Sequence, residues 1–274
     1  MAGMLYLVPT PIGNLGDISQ RCREVLAQAD FIAAEDTRVT LRLLNHLGLK
    51  KPLVSYYEHN KTASGGRILD RLLAGECCAL VSDAGTPAIS DPGEDLVRQC
   101  AQAGIPVSAL PGPCAAVTAL SMSGLPTGRF TFEGFLSTAK KSRAAHLSAL
   151  AKESRTMIFY EAPHKLLATL QDMAAVFGPD RRIALCRELT KLHEEVVRTT
   201  LGQAAALYAS QSPRGEFVLV VAGAEPERET VSLDDALARA KALVAGGMSR
   251  KDAARQAAQE TGLAKNAIYA GLLD

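Results

Sequence analysis

Several signatures of common protein classes are missing from this chain of 274 residues. Its 30 basic and 29 acidic residues leave a formal net charge of +1, which excludes a global basic field able to coat a polyanion. The cysteines form no C-x-x-C pair and the histidines no H-x-x-x-H pair, so neither a disulfide framework nor a metal site is expected. No apolar run approaches the roughly 20 residues of a membrane span, and no export signal begins the chain. We therefore expect a cytoplasmic protein with no membrane partner.

The composition indicates an ordinary globular protein with a sizeable core. Hydrophobic residues make up 47% of the chain and charged residues 22%. At about 150 residues per domain, this length favours one large domain or two modest ones.

Short buried runs alternate with amphipathic stretches along the first half of the chain. The runs 5–8, 31–34, 78–81 and 107–110 are typical of strands, and the segments between them carry apolar residues at helical spacing. This alternation predicts a mainly parallel sheet covered by helices on both faces. Further strand-like runs at 131–136, 156–160, 183–186, 196–200 and 217–222 predict a second α/β unit, in which the run 196–200 has the features of an antiparallel strand.

Two changes of pattern predict the domain boundaries. Glycine and proline interrupt the chain at 123–129, and from Glu225 onward alanine and charged residues dominate. We therefore expect an N-terminal α/β domain at 1–124, a second α/β domain at 125–224 and a helical tail at 225–274.

Stiff loops follow several of the predicted strands. The segments 9–17, 82–93 and 111–116 are rich in glycine and proline and stand at strand ends, where open α/β sheets bind ligands. The chain contains neither G-x-G-x-x-G nor G-x-x-x-x-G-K-[ST], which argues against a dinucleotide or P-loop site. Charged residues gather in 160–165, 186–195 and 213–217, either facing a cleft or forming a surface ion-pair network.

These segments resemble those of the ribosomal RNA small subunit methyltransferase I family, which belongs to the tetrapyrrole-methylase-like, or class III, S-adenosylmethionine-dependent enzymes. The most specific matches are S-D-A-G-T-P-A-I-S-D-P-G at 82–93 and Y-E-A-P-H-K at 160–165. The resemblance implies two α/β domains with S-adenosylmethionine in the cleft between them, a homodimer, and 2′-O-methylation of a cytidine in 16S rRNA near the decoding centre.

Carried over residue by residue, the resemblance implies a cofactor site made of loop residues from both domains. These residues are Pro9, Thr10, Asp83, Gly85, Thr86, Ala88, Ile89, Cys114, Ala115, Tyr160, Leu189, Gly215 and Phe217.

A ribose hydroxyl is a poor nucleophile while it keeps its proton, so a base is expected beside the transferred methyl group. Asp36 is the first candidate, although it could equally cap the following helix, and Glu188 and Glu194 are the alternatives. Arg38, Arg187 and Lys191 are expected to meet RNA phosphates, either on free 16S rRNA or on the small ribosomal subunit.

The tail has the outline of a helix-turn-helix. Ser249 and Asp252 are spaced as in a capping box, and a turn at 261–263 precedes a last short helix. Basic residues are concentrated here, and we expect Arg250, Lys251 and Lys265 to contact RNA. A dimer contact is the alternative role for this tail.

Two other functions fit the same patterns. The chain could methylate a tetrapyrrole or a protein side chain, as other class III enzymes do. It could also be a non-enzymatic regulator whose α/β body senses a metabolite and whose tail binds DNA.

Overall fold

The computed structural model describes residues 3–225 and 232–273. The chain divides into two compact units, Met1–Ala224 and Glu225–Asp274. Both sheets lie in the first unit, on either side of the segment 123–129. Residues 1–2 of the first predicted domain, and residues 226–231 and 274 of the predicted tail, lie outside the described residues.

The first sheet is entirely parallel, as the alternation of strands and helices predicts. Its strands run in the order β3-β2-β4-β1-β5. They are β1 (Leu5–Leu7), β2 (Phe31–Ala34), β3 (Leu53–Ser55), β4 (Cys78–Val81) and β5 (Val107–Ala109), connected by α1 (Gln20–Gln28), α2 (Thr37–Leu47), α3 (Lys61–Leu73) and α4 (Glu94–Gln102).

Helices cover both faces of this sheet because successive strand residues point to opposite sides. On one face Ile32 and Ala34 pack against α1 and α2, and on the other Phe31 and Ala33 pack against α3 and α4. The central strands β2 and β4 are buried along their whole length, which explains why their sequences are continuously apolar.

The second sheet is mixed, with the order β6-β7-β10-β8-β9. Only β6 and β7 pair in parallel, while β10 is antiparallel to both of its neighbours and β9 is antiparallel to β8. Its strands are β6 (Phe130–Phe135), β7 (Thr156–Glu161), β8 (Arg182–Arg187), β9 (Glu195–Thr200) and β10 (Phe217–Val221), accompanied by α6 (Lys140–Ala149), α7 (Leu166–Phe177) and α8 (Leu201–Ala209). The antiparallel character expected of the run 196–200 therefore extends to two more pairings.

One helix joins the two sheets. Helix α5 (Ala115–Met122) follows the last strand of the first sheet but packs its small residues, Ala116 and Ala119, against β7, β8 and β10 of the second sheet. The opposite face of the second sheet is buried under α6, α7 and α8. The loop that begins α5 therefore reaches both sheets.

The described residues of the tail unit form three helices: α9 (Leu233–Ala245), α10 (Arg250–Thr261) and α11 (Lys265–Ala270). Helix α10 begins as predicted, because the Ser249 hydroxyl oxygen accepts a hydrogen bond from the Asp252 backbone N–H at 3.2 Å. It ends at Gly262, whose φ of 74° places it in the left-handed region. Buried alanines of α9 and α10 form the core of the tail together with Ile268 of α11.

Among the residues described, no helix has the length and apolar character needed to cross a bilayer.

Candidate functional site

Three loops leave the carboxyl edge of the first sheet and are hydrogen-bonded to one another. Thr10, after β1, exchanges two backbone hydrogen bonds with Gly85, after β4, each with an N···O distance of 2.9 Å. The Thr10 hydroxyl also donates to the carbonyl of Ser82 at 3.2 Å. Thr86 connects this pair to the loop after β5, because its hydroxyl donates to the carbonyl of Pro113 at 2.9 Å. The edge of the sheet is thus rigid.

The loop after β4, at 82–93, adopts an unusual backbone conformation. Ala88 and Ser90 have φ values of 68° and 62°, in a region that residues other than glycine rarely adopt. Such residues cost on the order of 1–3 kcal/mol each and concentrate at functional sites. Gly93 ends the loop with a φ of 150°, and a Cβ built there would lie 2.9 Å from the side chains of Leu80 and Ala88.

A cavity of about 590 Å³ lies between these loops and the second sheet. The first sheet contributes its strand-end loops, and the second contributes the carboxyl ends of β6 and β7 and the beginning of β10. Its lining includes Glu35, Asp83, Asp91, Ala115, Phe135, Tyr160, Glu161, Leu189, Glu216 and Phe217.

Tyr160 bridges the two sides of this cavity. Its phenolic oxygen accepts a hydrogen bond from the backbone N–H of Ala116, in the first turn of α5, at 3.1 Å. Its ring packs edge-to-face against Phe132 and Phe135, with centroid separations of 5.1 and 5.5 Å. Burial raises the pKa of Tyr160 to about 12, so the phenol stays neutral at physiological pH.

Three carboxyl groups crowd one wall of the cavity. Burial raises the pKa of Glu35, and the nearby Asp83 and Asp36 carboxylates raise it further. Burial likewise raises the pKa of Asp83, and it raises the pKa of Asp91 to about 7 with help from Glu35 and Asp83. Partly desolvated negative charge of this kind favours a cationic ligand. Within the part of the chain that the structure describes, no three His, Cys, Asp or Glu residues are arranged to hold a metal ion.

A second, smaller cavity of about 230 Å³ shares Asp83 with the first. Apolar side chains of Leu15, Val39 and Leu43 line it together with Arg42. The two cavities therefore meet at the end of β4.

Most of the predicted cofactor residues line the larger cavity: Asp83, Gly85, Thr86, Ile89, Cys114, Ala115, Tyr160, Leu189 and Phe217. The other predicted residues support the loops that carry this lining. Thr10 holds Gly85, Ala88 stands in the strained loop, Pro9 packs against Gly112, and Gly215 packs against the side chain of Glu188. Their role in binding stays a prediction.

The three predicted bases are engaged in local structure. Asp36 caps α2, accepting from the Arg38 backbone N–H at 2.8 Å, and its hydrogen bonds to the Arg38 guanidinium and backbone lower its pKa to about 2. Glu188 pairs with Lys191 at 2.8 Å, which lowers the pKa of Glu188, and Glu194 accepts from the Thr190 N–H at 2.6 Å. The neighbour of Asp36, Glu35, lines the cavity instead.

The predicted RNA contacts fall in two regions. In the first unit, Arg38 pairs with Asp36 at 2.6 Å, Arg187 with Glu195 at 3.0 Å, and Lys191 with both Glu188 and Glu216. In the tail unit, Arg250 and Lys251 occupy the first two positions of α10, and Lys265 begins α11.

Comparison with known proteins gives matches to both parts of the chain. Residues 4–205 match the family of Tetrapyrrole (Corrin/Porphyrin) Methylases, and residues 230–274 match the RsmI C-terminal HTH domain. A protein of Synechocystis sp. named ribosomal RNA small subunit methyltransferase I is 50% identical over 97% of this chain and 96% of its own length. A protein of the same name from Escherichia coli O157:H7 is 48% identical over 97% of this chain and 93% of its own length.

The fold has solved relatives at lower identity. Uroporphyrin-III C-methyltransferase from Thermus thermophilus, solved in complex with S-adenyl homocysteine, is 19% identical with a TM-score of 0.55, over 79% of this chain and 97% of that one. This likeness shows the fold.

The strained loop gives a direct test of the site's construction. Gly93→Ala places a methyl group 2.9 Å from Leu80 and Ala88, so we expect the free energy of unfolding to fall by about 1–3 kcal/mol in urea titrations. Gly128→Ala is the matched control, since an added Cβ there meets no atom within 4 Å. Equal stability of the two variants would contradict the close packing of the 82–93 loop.

Proposed function

Because the chain belongs to the ribosomal RNA small subunit methyltransferase I family, we propose that it transfers the methyl group of S-adenosylmethionine to the 2′-oxygen of a cytidine ribose in 16S rRNA, near the decoding centre. The observation that carries this proposal is the 50% identity to a protein of that name over 97% of the chain. The cavity between the two sheets supports it.

The residues around the larger cavity fit S-adenosylmethionine. A volume of about 590 Å³ is within the usual range for ligands of this size. When bound, S-adenosylmethionine supplies an electrophilic methyl group on a positively charged sulfur, and Glu35, Asp83 and Asp91 provide negative charge on the wall. Ala115, at the N-terminus of α5, offers a backbone N–H to the carboxylate of the methionine part. Phe135 and Tyr160 add aromatic surface.

Methyl transfer by in-line displacement needs positioning more than covalent help. The hydrogen bonds from Thr10 to Gly85 and from Thr86 to Pro113 fix the loops that define the cavity. The smaller cavity supplies a place for the acceptor nucleotide: Leu15, Val39 and Leu43 suit a base, and the exposed guanidinium of Arg42 suits a phosphate.

The family resemblance also implies a homodimer acting on the small ribosomal subunit in the cytoplasm. Leu192, at 92% exposure, and Val117, at 55%, are candidate positions for the contact between the two copies.

The tail supports RNA binding through the position of its charges. Arg250 and Lys251 stand in the first turn of α10, where the helix dipole disfavours cations. Both are exposed. Exposed basic residues in the first turn of a helix therefore support binding of an anionic partner such as RNA.

The reaction is tested by the position of the transferred label. We expect purified protein, given methyl-labelled S-adenosylmethionine and unmodified small subunits, to place the label on one cytidine ribose, identified by nuclease digestion and mass spectrometry. Protein denatured beforehand is the control. Label on a base or on protein would contradict the ribose assignment, and transfer to a tetrapyrrole instead would favour the alternative class III function.

The hydrogen bond between Tyr160 and the backbone of Ala116 is tested by ligand affinity. Tyr160→Phe removes the acceptor of the Ala116 N–H and so releases the start of α5 from β7. Because one hydrogen bond contributes about 1 kcal/mol, S-adenosylhomocysteine binding should weaken by up to about fivefold in calorimetry. Tyr208→Phe, in the core on the other face of the second sheet, should bind as the unmodified protein does. The same affinity in Tyr160→Phe would contradict a role for this contact.

The tail is tested by the salt dependence of RNA binding. Replacing Arg250 and Lys251 together by alanine should reduce the slope of log affinity against log salt by about 2, one for each lost phosphate contact. Lys140 and Lys141, an exposed pair at the start of α6, serve as the matched double substitution. An unchanged slope with altered molecular mass would support a dimer contact instead.

A further inference from the structure

The proton of the acceptor hydroxyl needs a destination, and five carboxyl groups line the larger cavity: Glu35, Asp83, Asp91, Glu161 and Glu216. Two of them are engaged elsewhere. Glu161 is buried and accepts hydrogen bonds from the Ala162 N–H at 2.8 Å and the Thr169 hydroxyl at 2.5 Å. Glu216 points to solvent and pairs with Lys191 at 2.9 Å.

Glu35 and Asp83 each accept a backbone hydrogen bond from the other's loop. Asp83 Oδ1 accepts from the backbone N–H of Asp36 at 3.0 Å, and Glu35 Oε2 accepts from the backbone N–H of Asp83 at 3.5 Å. These contacts join the ends of β2 and β4. Both carboxylates are therefore part of the frame of the site. These hydrogen bonds lower their pKa values, but burial, the largest cause, leaves the pKa of each raised.

Asp91 lines the cavity from the strained loop at 82–93, outside the hydrogen bonds that join the ends of β2 and β4. The left-handed residues Ala88 and Ser90 precede it, and the Ser90 hydroxyl packs against the bulge of β6, 3.2 Å from a Cβ built on Gly134. The loop is thus held by both sheets. The ionisable and polar groups that act on Asp91 are Glu35 at the end of β2, Asp83 and Ser82 at the end of β4, and Tyr160 on β7.

We propose that Asp91 is the catalytic base, the group that accepts the proton of the ribose 2′-hydroxyl; this inference rests on the proposed function. The acceptor oxygen forms a bond to the methyl carbon as the carbon–sulfur bond breaks, with its electron pair remaining on sulfur as a neutral thioether. The electron pair of the O–H bond stays on the oxygen, and the proton moves to the Asp91 carboxylate.

The environment of Asp91 suits this role at neutral pH. Burial is the main cause that raises its pKa to about 7, repulsion by Glu35 and Asp83 adds to it, and a hydrogen bond from Ser82 opposes it. A base whose pKa lies near the working pH combines a usable ionised fraction with proton affinity. Only the ionised form accepts a proton, so the rate should rise tenfold per pH unit below the pKa of Asp91 in the complex and level off above it.

The test compares full-length variants in single-turnover methyl transfer to small subunits from pH 5.5 to 8.5. Asp91→Asn should lose on the order of 10²–10⁴-fold in rate. It should also lose the acid limb of the profile, which is the fall in rate toward acidic pH. Its affinity for S-adenosylhomocysteine in calorimetry should stay within about threefold of that of the unmodified protein. Asp91→Glu should retain part of the rate with a shifted limb. Glu94→Gln, an exposed neighbour at the start of α4, should keep the original profile.

A second readout follows ionisation without turnover. Because the folded protein holds the Asp91 proton more tightly than the unfolded chain does, its stability falls as pH rises from about 4 to about 7. The thermal midpoint of Asp91→Asn should therefore fall less than that of the unmodified protein between pH 5 and pH 8. A matching fall in both proteins would contradict the raised pKa and overturn the assignment.

Other outcomes are equally decisive. An Asp91→Asn protein that keeps its rate and acid limb overturns the proposal, and so does a loss of ligand affinity as large as the loss of rate. Removal of the limb by Asp36→Asn would transfer the role to Asp36. An unmodified protein that labels no RNA ribose would overturn the proposed function and this inference together, whereas an active one with an unaffected Asp91→Asn would overturn the inference alone.

Discussion

The site depends on the hydrogen bonds that join three loops at the carboxyl edge of the first sheet. Thr10 and Gly85 form a short antiparallel bridge, and Thr86 extends it to Pro113. Parallel strands bring their ends to one edge, but they leave the loops beyond that edge free to move independently. The bridge removes this freedom. Helix α5, which begins beyond Pro113 and packs on the second sheet, then relates the loops to Tyr160.

Partly desolvated negative charge is the cost of this arrangement. Glu35, Asp83 and Asp91 repel one another and are partly removed from water, so each holds its proton more tightly than a free carboxyl group does. Such a cluster is unfavourable for stability alone, and local violations of this kind are expected where function requires them. In the proposed function, the positive charge of the sulfonium donor offsets this repulsion. The proposed contact of these three carboxyl groups with the cofactor thus favours its cationic form over its neutral product.

The fold could be predicted from the sequence wherever local pattern alone determines the structure. The continuous apolar runs of β2 and β4 indicate strands buried on both faces, and Ser249 marks the start of α10. The short strand β3 and the pairing of the second sheet could not be predicted in this way. Strand β10 comes last in that sheet but lies in its middle, antiparallel to β7 and β8. Periodicity gives the burial of a strand and carries no information about its neighbours.

At the site, the loops could be predicted from the sequence, but the roles of individual side chains could not. Glycine, proline and the strand-end rule indicate the loops that line the cavity, yet they do not say which carboxylates face it. Asp36 directly precedes α2, so the same oxygen that could act as a base instead satisfies the N–H of Arg38. Asp91 stands ten residues beyond the end of β4, follows the left-handed turns at Ala88 and Ser90, and lines the cavity. Because those turns are strained, a backbone that lacked a use for Asp91 would gain stability by relaxing them.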